Sequence, residues 1–396
     1  MRKQRLIFIN IHWNHLLMNT SMFYLFNIKA PQKYSILFQK LLEKPDIEIC
    51  NFVTSKGTIV PYRLYCPFRR FLACIESKCI LKKNGYSNKI KNIHKLSDIR
   101  SDDIVFAFIH PRGGADQLQF MKCEKYLHLN QYSSHSISEL NQAIPYATNY
   151  ILEANTAKEG NYLMTASMCN GFTFHILPYI VASRFINIVS FEKRKKVAIA
   201  MGTIAKFEEE NDYTIFYKTM FLHKMREEIY ENKDYLAGVV DVSVSPYIEN
   251  RTSGKLNKHH GVLYSLYNLI KNKPGAQKSY FSFNIVDKYN EYQMAVVPEE
   301  ICGIPAIGAF ESMACGCALI AIDDSMYKDL GLVPGIHYVA YDNTVEDLRN
   351  KVLYYQKHED ELKKIADAGC SFVRSRFTSE KITDIFLNKI LSYKHI

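Results

Sequence analysis

The sequence predicts an α/β protein made of two successive units, each a largely parallel sheet covered by helices. Two observations carry this. Short apolar runs of strand length alternate with amphipathic helical segments along the chain, the pattern of parallel strands joined by crossover helices. A charged run, Glu192 to Lys196, is followed at once by a fresh apolar run, Val197 to Met201, which restarts the pattern. The length of 396 residues agrees, since domains hold roughly 100–200 residues each.

Leu6–Ile11 is the first expected strand. The basic start, Met1 to Arg5, gives it the outline of a signal peptide, but the apolar run is too short and Asn10, His12, Asn14 and His15 interrupt it. Gln32–Leu42 is amphipathic and helical. Ile47–Val53 alternates like a strand, and Asp103–Ile109 and Lys125–Leu129 are further strands. After the charged run, expected as a linker, come Val197–Met201 ending at Gly202, a helical stretch near 214–231, Tyr235–Val242, a helix near 261–271, Tyr280–Val286 and Glu291–Val297. Thr378 or Ser379 caps a terminal helix. The expected domains are therefore 1–190, 191–376 and a final helix, 377–396.

Composition narrows the function. The ten cysteines form no Cys-x-x-Cys pair and no zinc-spaced cluster, which fits a reduced, cytoplasmic compartment. No run is long and apolar enough for a membrane span; Leu177–Phe191 is broken by Arg184 and Asn187. Charge is uneven. Residues 1–190 hold 23 Lys/Arg and 12 Asp/Glu, a balance of +11; residues 191–396 hold 27 and 28, a balance of −1. The basic residues crowd Arg63 to Lys95, including Arg69, Arg70, Lys82 and Lys83. Such a patch suits an anionic membrane surface, on its inner face, or simple solvation; no nucleic acid is expected as a partner. The chain has no His-Glu-x-x-His, no Gly-x-Ser-x-Gly and no phosphate loop, against hydrolase and kinase chemistry. It also has no Asp-x-Asp, so no metal ligand set is expected.

The most informative stretch is Glu300-Ile-Cys-Gly-Ile-Pro305, then Glu311-Ser-Met-Ala-Cys-Gly316 and the apolar run Ala318–Ile322. It reads as a loop, a short helix closed at Gly316, and a buried strand. Glu311 is expected near the start of that helix, where backbone N–H groups and the helix dipole favour anions. A carboxylate beside an anion site suits sugar hydroxyls rather than phosphate, and this points to a nucleotide-sugar site.

At these residues the chain resembles the GT-B glycosyltransferases, whose retaining families carry a Glu-Gly-Phe-Gly-Leu-Pro string, then Glu-Ala-Met-Ala-Cys-Gly, then an apolar strand. Glu300, Gly303 and Pro305 match the first string, and Glu311–Gly316 matches the second at all but one position. The gap between the glutamates is three residues longer than in those families. Gly331–Asp342, Asp347–Tyr355 and Ile365–Gly369 continue the likeness.

The resemblance implies two Rossmann-like domains with parallel sheets facing an interdomain cleft, and a last helix that crosses back to the first domain. It implies transfer of a sugar from an NDP-sugar donor to a glycan or lipid-linked acceptor, with no cofactor and no metal, in surface polysaccharide biosynthesis. Glu311, with Ser312 beside it, would hold the donor, together with Gly202 and Thr203 at a strand end. Arg251 and Lys255, or Lys206, would neutralise the diphosphate leaving group. Glu300 and His110 are the catalytic candidates, His110 as a base at a strand end. His12, His15 and Arg112 would line the acceptor side. An NDP-sugar epimerase on the same fold, or a binding scaffold without catalysis, are the alternatives.

Overall fold

The computed structural model describes residues 3–13, 35–58, 60, 67–109, 113–129, 141–153, 174–177, 179–204, 210, 218, 220, 223–246, 284–300 and 305–391. The chain divides into two compact units, residues 1–182 with 375–396, and residues 183–374.

The first unit is a seven-stranded parallel sheet, in the order β3-β2-β1-β4-β5-β6-β7. Its strands are β1 (Gln4–Ile9), β2 (Ile47–Phe52), β3 (Ile90–Ile93), β4 (Ile104–Phe108), β5 (Glu124–Leu129), β6 (Asn149–Glu153) and β7 (Phe174–Leu177). Helices α1 (Ser35–Leu41) and α2 (Arg69–Lys83) belong to the same unit. After Gln4 and Arg5, β1 is an unbroken apolar run, Leu6 to Ile9, because it is buried on both faces, as parallel central strands are. Leu6 and Phe8 enter one core with Phe38, Phe106 and Tyr126, and Ile7 and Ile9 enter the core on the opposite face. Phe8 stacks on Phe106 with ring centroids 4.9 Å apart.

The second unit is a five-stranded parallel sheet, in the order β12-β11-β10-β8-β9. Its strands are β8 (Lys195–Ile204), β9 (Val240–Pro246), β10 (Tyr292–Val296), β11 (Ala318–Ile322) and β12 (Val339–Tyr341). Helices α3 (Lys224–Glu231), α4 (Ile285–Asn290), α5 (Ile307–Ala314), α6 (Ser325–Asp329), α7 (Val345–Lys357) and α8 (Glu359–Arg376) connect or flank them. The last helix, α9 (Ser379–Leu391), packs in the first unit, where Ile382, Phe386 and Ile390 join the core of Phe8 and Phe38 and Asp384 pairs with Lys44 at 2.9 Å.

The charged run expected as a linker is partly structural. Lys195 and Lys196 open β8, and Arg194 is buried, its Nη2 donating to the carbonyl of Cys315 at 2.8 Å and to Asn187 Oδ1 at 2.6 Å. The strand expected to end at Gly202 continues to Ile204. The helix expected near 214–231 is α3 in its described part, and the strand expected at Tyr235–Val242 begins later, at Val240. The expected helix near 261–271 and the stretch from Tyr280 to Phe283 lie outside the described residues.

Both sheets reverse direction once. The chain leaves β1 toward β2 and β3, then returns to place β4 on the other side of β1. It leaves β8 toward β9, then returns to place β10 on the other side of β8. In open α/β sheets, ligands bind outside the carboxyl ends of the strands at such reversals.

Candidate functional site

At the reversal of the second sheet, the ends of β8 and β10 meet over one buried arginine that the sequence did not flag. Arg226, on α3, donates from Nη1 to the carbonyl of Thr203 at 3.3 Å and from Nη2 to the carbonyl of Pro298 at 3.0 Å. Nη2 also meets Glu300 Oε1 at 2.9 Å. On the other side of the carboxylate, His223 Nε2 lies 2.9 Å from Glu300 Oε2. Arg226 is only 4% exposed, so its charge is held almost wholly by these partners. Gly202 makes this packing possible. A Cβ there would lie 2.8 Å from Arg226 Cδ and Nε, and the backbone has φ +150°. The missing side chain is what lets the Arg226 stem lie directly against the strand end.

The electrostatics follow. Burial works against ionisation of Glu300, but Arg226 and the hydrogen bond from His223 outweigh it and hold the carboxyl well below the usual carboxylate range. Burial also lowers His223, which leaves its imidazole neutral near pH 7, with Nε2–H donating to the carboxylate. Glu300 is thus a fixed anion. It can accept hydrogen bonds from hydroxyl groups, but it is too weak a base to take a proton near neutrality. The adjacent Glu299 behaves oppositely. It is buried, accepts from the hydroxyl of Tyr327 at 2.9 Å, and is pushed up to about 7 by burial.

Glu311 was expected at a helix start, and the structure corrects this. α5 begins at Ile307, after Ala306, so Glu311 is its fifth residue and no acid sits in its first turn. Four residues of the helix precede the glutamate, so it lies beyond the first turn, where the dipole acts most strongly. Glu311 is half-buried, and burial pushes it up to about 7 against the pull of Arg184. Ser312 is a second correction. It is fully buried and its hydroxyl donates to the carbonyl of Ala309 at 2.8 Å, so it serves its own helix rather than a ligand. The helix does close at Gly316, as expected. Gly316 has φ +85°, its N–H reaches the carbonyl of Met313 at 2.9 Å, and Cys317 N–H reaches that of Ser312 at 3.0 Å, a Schellman closure.

At the matching reversal of the first sheet the chemistry is neutral. Asn10, just past β1 with φ 48°, exchanges hydrogen bonds with Thr54: Nδ2 to Oγ1 at 2.8 Å, and Thr54 N–H to Oδ1 at 2.9 Å. His12 Nε2 donates to the carbonyl of Gly57 at 2.7 Å. The carbonyl can only accept, so the proton sits on Nε2 and Nδ1 is a bare acceptor. Burial takes His12 down to about 4. Its full burial makes it a support for the loop after β2 rather than a group offered openly to an acceptor. Gly57 has no room for a side chain, since a Cβ would lie 2.6 Å from Asn10 Oδ1. His15, His110, Arg112, Lys206, Arg251 and Lys255 lie outside the described residues. Among the described residues no cluster of His, Cys, Asp and Glu could hold a metal ion. No helix among them is long and apolar enough to cross a membrane.

Comparison with known proteins places this architecture in a class. Residues 283–388 match the family model described as glycosyl transferase-like. Sucrose-phosphate synthase from Thermosynechococcus elongatus superposes with a TM-score of 0.54 at 12% identity, over 99% of this chain and 98% of that one. HepE from Anabaena, in complex with UDP, gives 0.51 at 9% identity over 98% and 100%. A glycosyltransferase from Rickettsia africae gives 0.50 at 11% over 99% of both chains. Among curated protein sequences there is no match. The chain therefore has the GT-B fold, and residues 283–388 are similar to the glycosyl transferase-like family.

Proposed function

We propose that the protein is a glycosyltransferase that moves a sugar from an NDP-sugar to a glycan or lipid-linked acceptor in surface polysaccharide biosynthesis, without a metal ion. The observation that carries this reading is the bare strand end at Gly202 and Thr203 above Arg226, with the ionised Glu300 beside it. A diphosphate at this strand end would lie beside the buried positive charge of Arg226, which Gly202 lets pack against the backbone. Glu300 and Glu311 then supply carboxylates for the hydroxyl groups of sugar and ribose. HepE was solved with UDP and with UDP-glucose, which supports uridine nucleotides as the first donors to test. Proton removal from the acceptor falls to another group, for which His110 remains the candidate. A cytoplasmic place beside an anionic membrane fits the basic first 190 residues and the reduced-type cysteine usage.

The test is a panel of UDP-, GDP- and ADP-sugars read by thermal shift, followed by calorimetry. A nucleotide-selective shift is expected, and Glu311→Ala should weaken the selected donor by roughly 1–3 kcal/mol, the scale of a lost charge-assisted hydrogen bond. A folded Glu311→Ala variant with full affinity would remove Glu311 from the site. No shift with any nucleotide-sugar would remove the transferase reading. Transfer should survive EDTA; loss that a divalent ion restores would overturn the metal-free mechanism.

A further inference from the structure

The buried cluster at the reversal of the second sheet holds one donor that it does not use. Arg226 donates from Nη1 to Thr203 and from Nη2 to Pro298 and Glu300, but its Nε has no hydrogen-bond partner among the described residues. Nε and Nη2 form one edge of the planar guanidinium, an edge that can take both oxygens of a carboxylate in a bidentate pair. Glu300 already meets Nη2 through Oε1, at 2.9 Å. The bidentate pair is nevertheless not made, and a buried N–H is left without an acceptor, which protein interiors rarely tolerate.

His223 holds the second oxygen away. Its Nε2 lies 2.9 Å from Oε2. His223 immediately precedes α3, and its side chain makes no capping bond to that helix. Its carbonyl accepts from the N–H groups of Arg226 and Glu227 at 3.0 and 3.3 Å, which fixes the first turn. Residues three apart on a helical turn share a face, so His223 and Arg226 reach one carboxylate, an oxygen each. The ring does this as a neutral group. A carboxylate only accepts, so the proton sits on Nε2, and Nδ1 is buried with no partner among the described residues. A second proton on Nδ1 would be buried without an acceptor, and burial lowers His223 accordingly.

The consequence falls on the other lone pairs of Glu300. Each carboxylate oxygen has two acceptor sites, and each meets one protein donor here. The Glu300 side chain is 21% exposed, so its remaining acceptor capacity lies where a ligand can reach. Arg226 balances the charge of Glu300 and the neutral imidazole adds none. What the Glu300 edge offers outward is therefore acceptor capacity without net charge, which matches the hydroxyl groups of a neutral sugar.

We propose that His223 is a positioning residue for recognition of the donor sugar: by holding Oε2 it keeps Glu300 from closing on Nε of Arg226, and so keeps the carboxylate presented to sugar hydroxyl groups. This role rests on the transfer reading above.

The experiment uses the full chain, titrated by calorimetry with UDP-glucose and with UDP, or with the matching pair for whichever nucleotide the panel above selects. His223→Leu removes the donor to Oε2, and Glu300 should then close on Nε and Nη2 of Arg226. UDP-glucose should bind about 10-fold more weakly, and UDP less than about 2-fold. Urea unfolding should not move to lower denaturant, because the bidentate pair replaces the lost hydrogen bond. His223→Gln keeps a neutral N–H donor within reach of Oε2 and should bind UDP-glucose within about 3-fold of the wild type. Lys224→Gln, at an exposed position on α3, is the control and should leave both affinities unchanged. In the ligand-free chain, the ¹⁵N imidazole signal that His223→Gln removes should report the Nε2–H tautomer at pH 7. An imidazolium or an Nδ1–H form would overturn the proposal. Equal weakening of both ligands in His223→Leu, or its earlier unfolding, would make His223 a merely structural residue and overturn the role. A His223→Gln variant as weak as His223→Leu would do the same. Full UDP-glucose affinity in His223→Leu would remove His223 from sugar recognition and leave the transferase reading standing. A wild-type chain that binds no nucleotide-sugar would instead sink that reading, and this role with it.

Discussion

The two units place different chemistry at the same topological position. Past β1, the reversal of the first sheet is closed by neutral hydrogen bonds among Asn10, Thr54, His12 and Gly57. Past β8 and β10, the reversal of the second sheet is built on charge: Arg226 against Glu300, with His223 behind it. A neutral amide network fixes a loop at little electrostatic cost. A buried ion cluster is costly to desolvate and collapses if one member is removed. The difference puts a buried charge at the reversal of the second sheet and a neutral hydrogen-bond network at that of the first.

The sharpest way to break the comparison is Arg226→Met. It leaves Glu300 without its guanidinium in a largely buried place, so a loss of about 3–5 kcal/mol is expected in urea unfolding, along with nucleotide binding. A loss below 1 kcal/mol would mean that the cluster is not held as a charged unit. The same pair sets an acid response. Glu300 is depressed in the folded state, so its stabilisation is complete above the ordinary carboxylate value of 4.5 and fades as pH falls below it.

The next effect is a slope of opposite sign. Glu299 is raised to about 7 when folded, so between pH 4.5 and 7 the folded chain holds a proton that the unfolded chain has released. Its contribution to stability therefore falls as pH rises through that window. Glu299→Gln keeps an acceptor for Tyr327 and should remove this fall, a gain of about 1–3 kcal/mol at pH 7.5 relative to pH 5. Denaturant midpoints at the two pH values measure it, and parallel profiles for variant and wild type would contradict it.

The smallest effect belongs to the neutral network. His12→Leu leaves the carbonyl of Gly57 without its donor and should cost roughly 1 kcal/mol at pH 8. His12 is lowered from 6.5 to about 4, so the unfolded chain takes up its proton first on acidification and the wild type loses stability as pH falls from 6.5 toward 4. The variant should show a shallower loss over that range. An unaltered acid limb would show that His12 titrates normally.

Much of the fold was legible because it rests on short-range patterns. The apolar run Leu6–Ile9 of β1 reflects burial on both faces, and the Cys315-Gly316-Cys317 stop follows from one residue that accepts positive φ. The site was legible only where it is local. Glu300 stood out through its motif, whereas its partners Arg226 and His223 lie 74 and 77 residues away. Nothing in Lys224–Glu231 sets Arg226 apart except that it sits between Met225 and Ile229, which also turn inward.

The sequence by itself determined the alternation of strands and helices, the closure of α5 at Gly316 and the basic excess of the first 190 residues. These depend on neighbours a few positions away, or on simple sums of charge. Tertiary structure alone decided that Glu300 is a locked anion, that Glu311 sits in the fifth position of its helix and that Ser312 turns inward. Each is set by which distant side chains packing brings within a few ångströms, and by how much water that packing removes.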